Sequence, residues 1–446
     1  VIILFSDKIN EAAKLLLTLS EGKVIRIYSQ YDPDGISSAA ILSKCLIRLG
    51  KKFELRFFKQ LNSKSKSYID TDGKLIVFLD MGSGHLNILK DIIEKNKVFI
   101  IDHHEMTEFN SENLIHINPH QFKDEVNPED YCTSILTFLF AISLDEKNQD
   151  LIEFMIYGAI GDRKEDSKIF RELIEKYGRD RILVEKGLKI YGRKKPIHKA
   201  LAYNSDLFIP EIFGNELAAI QFLRDLGIEV KSGLEWKTLD SLSDNDIRKI
   251  VDKLIFYYKN PKDIVGDNFI IVNKDEFFSD VREVVSIINA NSRLGFTDFA
   301  FRFCLEDRNI FDRAIKNFEE YRKILSFYMS TLNNGKIIEK NNSVFIFDNK
   351  EIPDSFVGVL VSMYSFLQRD KPVIGIGYDK EIDMFKVSAR NNSNKNINLR
   401  NILLTAANEI GGEAGGHKDA AGAYIPVEKI YEFIDRIDKL IGEFNG

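Results

Sequence analysis

Asp102, His103 and His104 stand side by side, an acid and two imidazoles at the end of the apolar run Val98-Phe99-Ile100-Ile101. Three other places supply carboxylates in comparable settings: Asp32 and Asp34 around Pro33, Asp80 after the run 75–79, and Asp162 after Gly158-Ala159-Ile160-Gly161. Mixed oxygen and imidazole donors suit Mn²⁺ or Mg²⁺ better than a soft-ligand metal. Two acids at i and i+2 in a tight turn point in different directions, so each can serve a different cation. With Asp80 as the bridge, Asp32 serves one ion, while Asp34, one imidazole and Asp162 serve the other. Two cations about 4 Å apart can activate a water and clamp the attacking and leaving oxygens of a phosphoryl centre. The second imidazole is then available to contact the phosphate or assist proton transfer. A single Asp after a strand is ordinarily a turn or helix cap; three such sites joined by two histidines strain that explanation.

The elements that must position these groups read as an α/β alternation. Residues 9–19 have helical spacing, 24–28 form a strand, 36–49 a helix, 53–58 and 75–79 strands, 86–95 a helix and 98–101 the strand before Asp102. Such alternation predicts a mainly parallel, doubly wound sheet whose carboxyl edge carries the acids. Helices are expected over 133–144 and 151–160. A charge-rich, largely helical stretch follows (171–192, 215–226, 243–259, 280–291 and 309–332), and its Lys/Arg-dense segment 186–199 reads as a solvated face, with a basic path for a phosphate backbone as the alternative.

A second, smaller α/β pattern begins near Ser343, with strands at 344–347, 373–377 and 384–389 and helices at 354–368 and 398–409. Its third strand delivers Arg390. The last helix leads to the glycine-rich stretch Gly411 to His417, where bare backbone at Gly415 and Gly416, together with Arg390 and His417, can approach an anion. His85 and His198 are expected on the surface or in loops, Trp236 packed against a helix, and Cys45 buried. His116 and His120, flanking Asn118-Pro119, read as part of a loop contact rather than as metal ligands.

Length sets the frame: 446 residues exceed one ordinary core. The expected domains are 1–195, a helical connector over 196–335, and 336–446. A net charge of −6 excludes a generally basic nucleic-acid coat, so any such binding needs a local basic path. No apolar run reaches the roughly eighteen residues of a membrane span, and the opening VIILFSDKIN is too short for a signal-peptide core. With three widely separated cysteines, a cytoplasmic protein with reduced thiols is expected.

YDPDG (31–35), LDMGSG (79–84), IDHHE (101–105) and GAIGD (158–162) resemble the four ordered motifs of the DHH phosphoesterases. SAR (388–390) and GGHKDAAG (415–422) resemble the substrate-binding motifs of the associated C-terminal DHHA1 domain. The helical region between them makes the chain similar to archaeal RecJ-like nucleases, relatives of bacterial RecJ and of a eukaryotic replication factor. The resemblance implies Asp32 and Asp80 on a first Mn²⁺ or Mg²⁺, and Asp34, Asp80, His103 and Asp162 on a second. It implies Asp102 as an orienting residue, His104 on the scissile phosphate, and Arg390, Gly415, Gly416 and His417 on substrate, with the active site in the cleft between the two α/β domains. The implied activity is exonucleolytic hydrolysis of single-stranded DNA from 5′ to 3′, with single-stranded RNA as a further substrate, in replication or repair. Two alternatives are a weakly active or inactive replication scaffold bound to a GINS-type complex, and a phosphodiesterase of short RNAs or cyclic dinucleotides; a GINS-type complex and a single-strand-binding protein are the implied protein partners. One position departs from the family pattern. Gln30 stands where a histidine ligand of the first metal is common, and a neutral amide is a poorer ligand.

Overall fold

Strands β1 (Val24–Gln30), β2 (Lys52–Phe58), β3 (Leu75–Leu79), β4 (Lys97–Ile101) and β5 (Leu114–Ile117) form one sheet in the order β2-β1-β3-β4-β5. Every pairing in it is parallel. β3 is buried at every position, and β4 at all but its first residue, as expected of central parallel strands covered on both faces. Tyr28, Ile76, Phe78, Val98 and Ile100 pack with Leu86, Leu89, Ile92 and Ile93 of the helix Leu86–Lys95. The order reverses between β1 and β3, and the carboxyl ends at such a reversal form the natural crevice of an open α/β sheet. These are the strand ends that deliver Asp32 and Asp80.

This computed structural model describes residues 4–71, 74–258, 260–332, 335–368, 370–393, 395–416 and 418–443. It divides into two units, 1–187 with 267–318, and 188–266 with 319–446. These borders differ from the sequence-based segments. Helix Val281–Arg293, expected in the connector, buries Val281, Val284, Ile287 and Ile288 and belongs to the first unit, where Val285 reaches Gly161.

Three further expectations change. Residues 171–192 are not one helix: the helix Lys168–Tyr177 ends at Gly178, and the β-branched run that follows becomes β6 (Ile182–Leu188). The connector also holds a small hairpin of β7 (Lys231–Ser232) and β8 (Glu235–Trp236), and β9 (Val265–Ile271) pairs with β6. His198 is buried in the helix Ile197–Ala202, where it meets the half-exposed Trp236 ring at 4.3 Å, so the tryptophan does pack on a helix. Lys186 is exposed and pairs with Asp267, in keeping with a solvated face. All three cysteines are buried.

The second unit holds a sheet of order β10-β11-β12-β13-β15-β14, formed by β10 (Ile337–Glu339), β11 (Val344–Phe347), β12 (Val373–Asp379), β13 (Met384–Arg390), β14 (Glu413–Gly416) and β15 (Ala420–Pro426). Only β11 and β12 are parallel, joined through the helix Asp354–Ser365. The glycine-rich stretch, expected as a loop, is largely the edge strand β14 paired with β15.

Gly375 of β12 lies under the helix Asp354–Ser365. A Cβ there would come within 2.2 Å of Val361 Cγ2 and 2.7 Å of Val357 Cγ2, and valine has no flexible end to move aside. Gly375→Ala is expected to destabilise by about 1–3 kcal/mol, read as a lower urea midpoint. Gly415→Ala, whose Cβ would meet nothing within 4 Å, should leave the midpoint nearly unchanged. Equal effects from the two would contradict this packing.

Candidate metal centre

Four acids and two histidines converge at the carboxyl edge of the first sheet. Asp32 ends the approach from β1 and caps the helix Pro33–Arg48, its Oδ1 accepting from Gly35 N at 3.0 Å. The helix therefore starts three residues earlier than expected and carries Asp34 in its first turn. Gly35 is required here, because a Cβ would lie 2.2 Å from the Gln30 carbonyl oxygen. Asp80 follows β3 in a left-handed conformation, φ 60°, which costs about 1–2 kcal/mol for an L-residue. Its backbone N–H donates to the Ile101 carbonyl at 3.0 Å, prolonging the ladder with β4. Asp162 caps the carboxyl end of the helix Ile152–Gly161.

Asp34 is almost wholly buried, and a helix start holds it there. Thr133 N donates to its Oδ2 at 2.7 Å and Ser134 N to its Oδ1 at 2.9 Å, both from the first turn of the helix Thr133–Leu144. Such N–H groups are unsatisfied within their own helix and carry its positive end. The Thr133 hydroxyl donates to Asp80 Oδ1 at 2.9 Å. These partners lie about a hundred residues from Asp34 in sequence, and sequence reasoning misses them; the only local trace is the polar Thr-Ser pair opening an apolar helix. The glycines of GAIGD have their reason in the same place. A Cβ at Gly158 would sit 2.4 Å from Ser134 Oγ and 2.7 Å from Asp34 Oδ1, and one at Gly161 would sit 2.7 Å from Pro33 Cβ.

His103 Nε2 lies 3.2 Å from Asp162 Oδ2 and 3.6 Å from Asp80 Oδ1. His104 is turned differently: its Nδ1 lies 2.7 Å from Asp102 Oδ1, and its backbone N–H donates to the same oxygen at 3.2 Å. Asp102 is fully buried and also accepts from Ser83 N at 3.0 Å. Behind this pair, Ser83 Oγ lies 2.8 Å from His116 Nε2, and Asn118 Nδ2 donates to Ser83 Oγ at 2.8 Å and to the His104 carbonyl at 2.9 Å. His116 thus belongs to a buried support on β5, a strand where the sequence suggests a loop.

The electrostatics follow from burial. Desolvation, then the neighbouring carboxylates, raise the pKa of Asp34, raise Asp80 well above the usual range and push Asp162 to about 8. For Asp102 burial acts in the same direction, but the charge and hydrogen bond of His104 outweigh it and hold the carboxyl low. Burial would lower His104, yet Asp102 raises it to about 9. His116, buried and distant from any compensating partner of that strength, falls to about 4.

Two sets of donors lie close enough to share a cation: Asp34, His103 and Asp162, and Asp80, His103 and His104, each with ligand atoms within 4.8 Å of one another. Donors about 2.1 Å from a Mg²⁺-sized ion sit about 3–4 Å apart, so a small inward movement of these acids closes the first set around one. The crowded, proton-raising acids fit a cation there. The pair assigned by resemblance to a first cation behaves differently. With its NH₂ turned to the acids, the Gln30 amide donates to Asp32 Oδ2 and Asp80 Oδ2, at 2.8 Å each. The reverse orientation sets its oxygen against the two acids, and hydrogen bonding favours the first.

Arg390, Gly415 and Gly416 lie in the second unit. Across β13, β15 and β14, Arg390 pairs with Ala420, Gly416 with Ala421 and Gly415 with Gly422, so the arginine and the glycine edge share one end of the sheet. Gly416 has φ 123°, and a Cβ there would lie 2.6 Å from Ala421 Cα. His417 falls outside the described residues. No helix among the described residues is long and apolar enough to cross a membrane.

Comparison with known proteins agrees with this architecture. The DHH family N-terminal domain matches residues 24–159, the DHH-CID domain 190–260 and the DHHA1 domain 341–443. An uncharacterized protein of Methanocaldococcus jannaschii is 31% identical over 453 residues, covering 98% of this chain and 97% of its own. Among solved structures, CDC45 from Entamoeba histolytica matches with a TM-score of 0.67 at 15% identity, over 98% of this chain and 99% of that one. RecJ from Thermus thermophilus, in complex with Mn²⁺, matches with a TM-score of 0.63 at 17% identity, over 99% of this chain and 56% of that one. The chain therefore spans little more than half the length of that RecJ, and at such identities the two structures establish a common fold. With its domains matched in order and a relative aligned end to end, the chain belongs to the DHH/DHHA1 superfamily and has the RecJ-like fold.

Proposed function

We propose that the chain is a metal-dependent phosphodiesterase that removes nucleotides from single-stranded DNA, from the 5′ end, with single-stranded RNA as a further substrate. The observation that carries this reading is the convergence of Asp34, Asp80, His103 and Asp162 on one small volume, beside a histidine oriented by a buried acid. Asp34, His103 and Asp162, with Asp80 adjoining, would hold Mn²⁺ or Mg²⁺. Such an ion polarises a phosphoryl oxygen and lowers the pKa of water. His104, with Nδ1 held by Asp102, has Nε2 left to donate to a phosphate oxygen and offset developing charge. Thr133 and Ser134 keep Asp34 and Asp80 fixed while substrate comes and goes. Arg390 and the backbone of Gly415 and Gly416 would contact the phosphate backbone of the strand. A second reading is a replication scaffold of low activity, bound to a GINS-type complex or a single-strand-binding protein. The Gln30 contact with Asp32 and Asp80 favours it, as does the fold shared with CDC45.

End-labelled single-stranded DNA and RNA, labelled at either end and incubated with Mn²⁺ or Mg²⁺, separate these readings. Wild type is expected to shorten 5′-ended DNA, and Asp162→Ala to lower the rate at least about 100-fold, on the scale of losing an essential electrostatic contact. Chelation of the cation should abolish turnover. A wild type with no hydrolysis under any of these conditions would favour the scaffold.

Cation binding should also depend on pH. Asp162 titrates near 8, and Asp34 and Asp80 are raised, so at lower pH a cation must displace protons from its own ligands. The apparent Mn²⁺ affinity, measured by calorimetry in two buffers of different ionisation enthalpy, is expected to rise from pH 6 to pH 8 with net proton release. An affinity flat across that range, without proton release, would contradict the site.

A further inference from the structure

The Gln30 side chain reaches both Asp32 and Asp80, the pair that the family resemblance assigns to a first cation. It ends β1, the strand beside the reversal of sheet order, opposite Phe58 of β2. Each of the two acids has one oxygen anchored by the protein: Asp32 Oδ1 by Gly35 N, and Asp80 Oδ1 by the Thr133 hydroxyl, on the side that faces His103. The other oxygen of each, Oδ2 in both cases, lies 2.8 Å from the end of the Gln30 amide, which donates to both once its NH₂ rather than its oxygen is turned toward them. A carboxamide NH₂ has two N–H bonds and no acceptor capacity, so one group satisfies both oxygens at once. A carboxylate that bridges two ions through both of its oxygens gives one to each. Here Asp80 gives its second oxygen to a neutral side chain instead.

We propose that Gln30 is a built-in neutral tie that replaces the first cation, so that the chain binds a single divalent ion, held by Asp34, Asp80, His103 and Asp162. Asp32 is then a clamp on the tie and a helix cap rather than a ligand. A neutral group in place of a dication leaves more negative charge on Asp32 and Asp80 uncompensated. The remaining ion and His104 must therefore carry the offsetting of a phosphoryl centre's charge. This inference rests on the phosphodiesterase reading only for its rate consequences. The ion count itself is independent of substrate.

The test is Mn²⁺ stoichiometry, by equilibrium dialysis with metal analysis and by low-temperature electron paramagnetic resonance. Wild type is expected to hold one Mn²⁺ per chain, with the six-line signal of an isolated ion. Gln30→His, which exchanges the tie for a ligand, is expected to hold two, with the broadened signal of a coupled pair. Asp32→Asn should keep the single ion with a Kd within about threefold of wild type, and Asp162→Asn should lose it. Two ions in wild type overturn the proposal, as does loss of the ion in Asp32→Asn. A single ion in both wild type and a Gln30→His variant of unchanged circular dichroism overturns it too. If Gln30→His fails to fold, Gln30→Ala, which removes the tie without adding bulk, is expected to take up a second, weaker ion, and continued binding of one overturns the tie. Binding of none by wild type overturns this proposal together with the metal-dependent reading. One ion without nuclease activity on any strand sinks that reading alone and leaves the tie standing.

Discussion

Holding several carboxylates together inside a protein is the constraint on which this structure turns. Asp34, Asp80 and Asp102 are buried, and taking a charge out of water costs several kcal/mol unless partners replace the hydration. The chain meets that cost three ways. Asp102 is matched by His104, whose ring is partly open to solvent, in a salt bridge. Asp34 sits on the first two N–H groups of a helix, charge-assisted bonds of about 1.5–3 kcal/mol each. Asp80 draws on the Thr133 hydroxyl and the Gln30 amide and otherwise resists ionisation. The last case is the least compensated, and Asp80 shares its raised pKa with Asp34 and Asp162.

The rest of the first unit reads as a consequence. Helices Pro33–Arg48, Thr133–Leu144 and Ile152–Gly161 must approach closely enough for one helix start to reach an acid on another. That approach requires Gly158 and Gly161 at the contact, and Gly35 where the chain turns back over Gln30. Asp80 accepts a left-handed backbone for the same end, since its N–H stays in the sheet while its side chain turns into the site. The second unit builds its glycine-rich edge differently, on a strand rather than a loop, with Gly416 in a conformation that favours glycine and backed against Ala421.

Much of this was legible in the sequence, for a physical reason. The strands before Asp32, Asp80 and Asp102 are short β-branched and aromatic runs with polar ends, and buried parallel strands have few other ways of being written. Their acids therefore fell at one edge without further information. What stayed hidden depends on contacts far apart in sequence. Nothing in Thr133 or Ser134 announces that their N–H groups serve an acid a hundred residues earlier. His116 hid β5 because a polar residue interrupts a four-residue strand. Residues 182–188 read as helix because Ile-Leu-Val followed by Glu185 and Lys186 continues the charge-rich pattern of the preceding helix, and most of the ribbon is not buried. The glycines of β14 signalled a turn, although an edge strand tolerates them equally well. Gln30 was visible as a departure, but its reach to two carboxylates was not.

The support behind His104 has a mechanical consequence. Through Asn118 and Ser83 the loop after β4 is fastened to the end of β5 and to His116, whose imidazole stays uncharged down to about pH 4. The loop can therefore not breathe by itself. To swing His104 outward the chain must also loosen the terminal rung of its parallel sheet, an opening that belongs with the slow, cooperative class rather than with surface fluctuation. A histidine on a loop is thereby tied to a strand through Asn118 and Ser83.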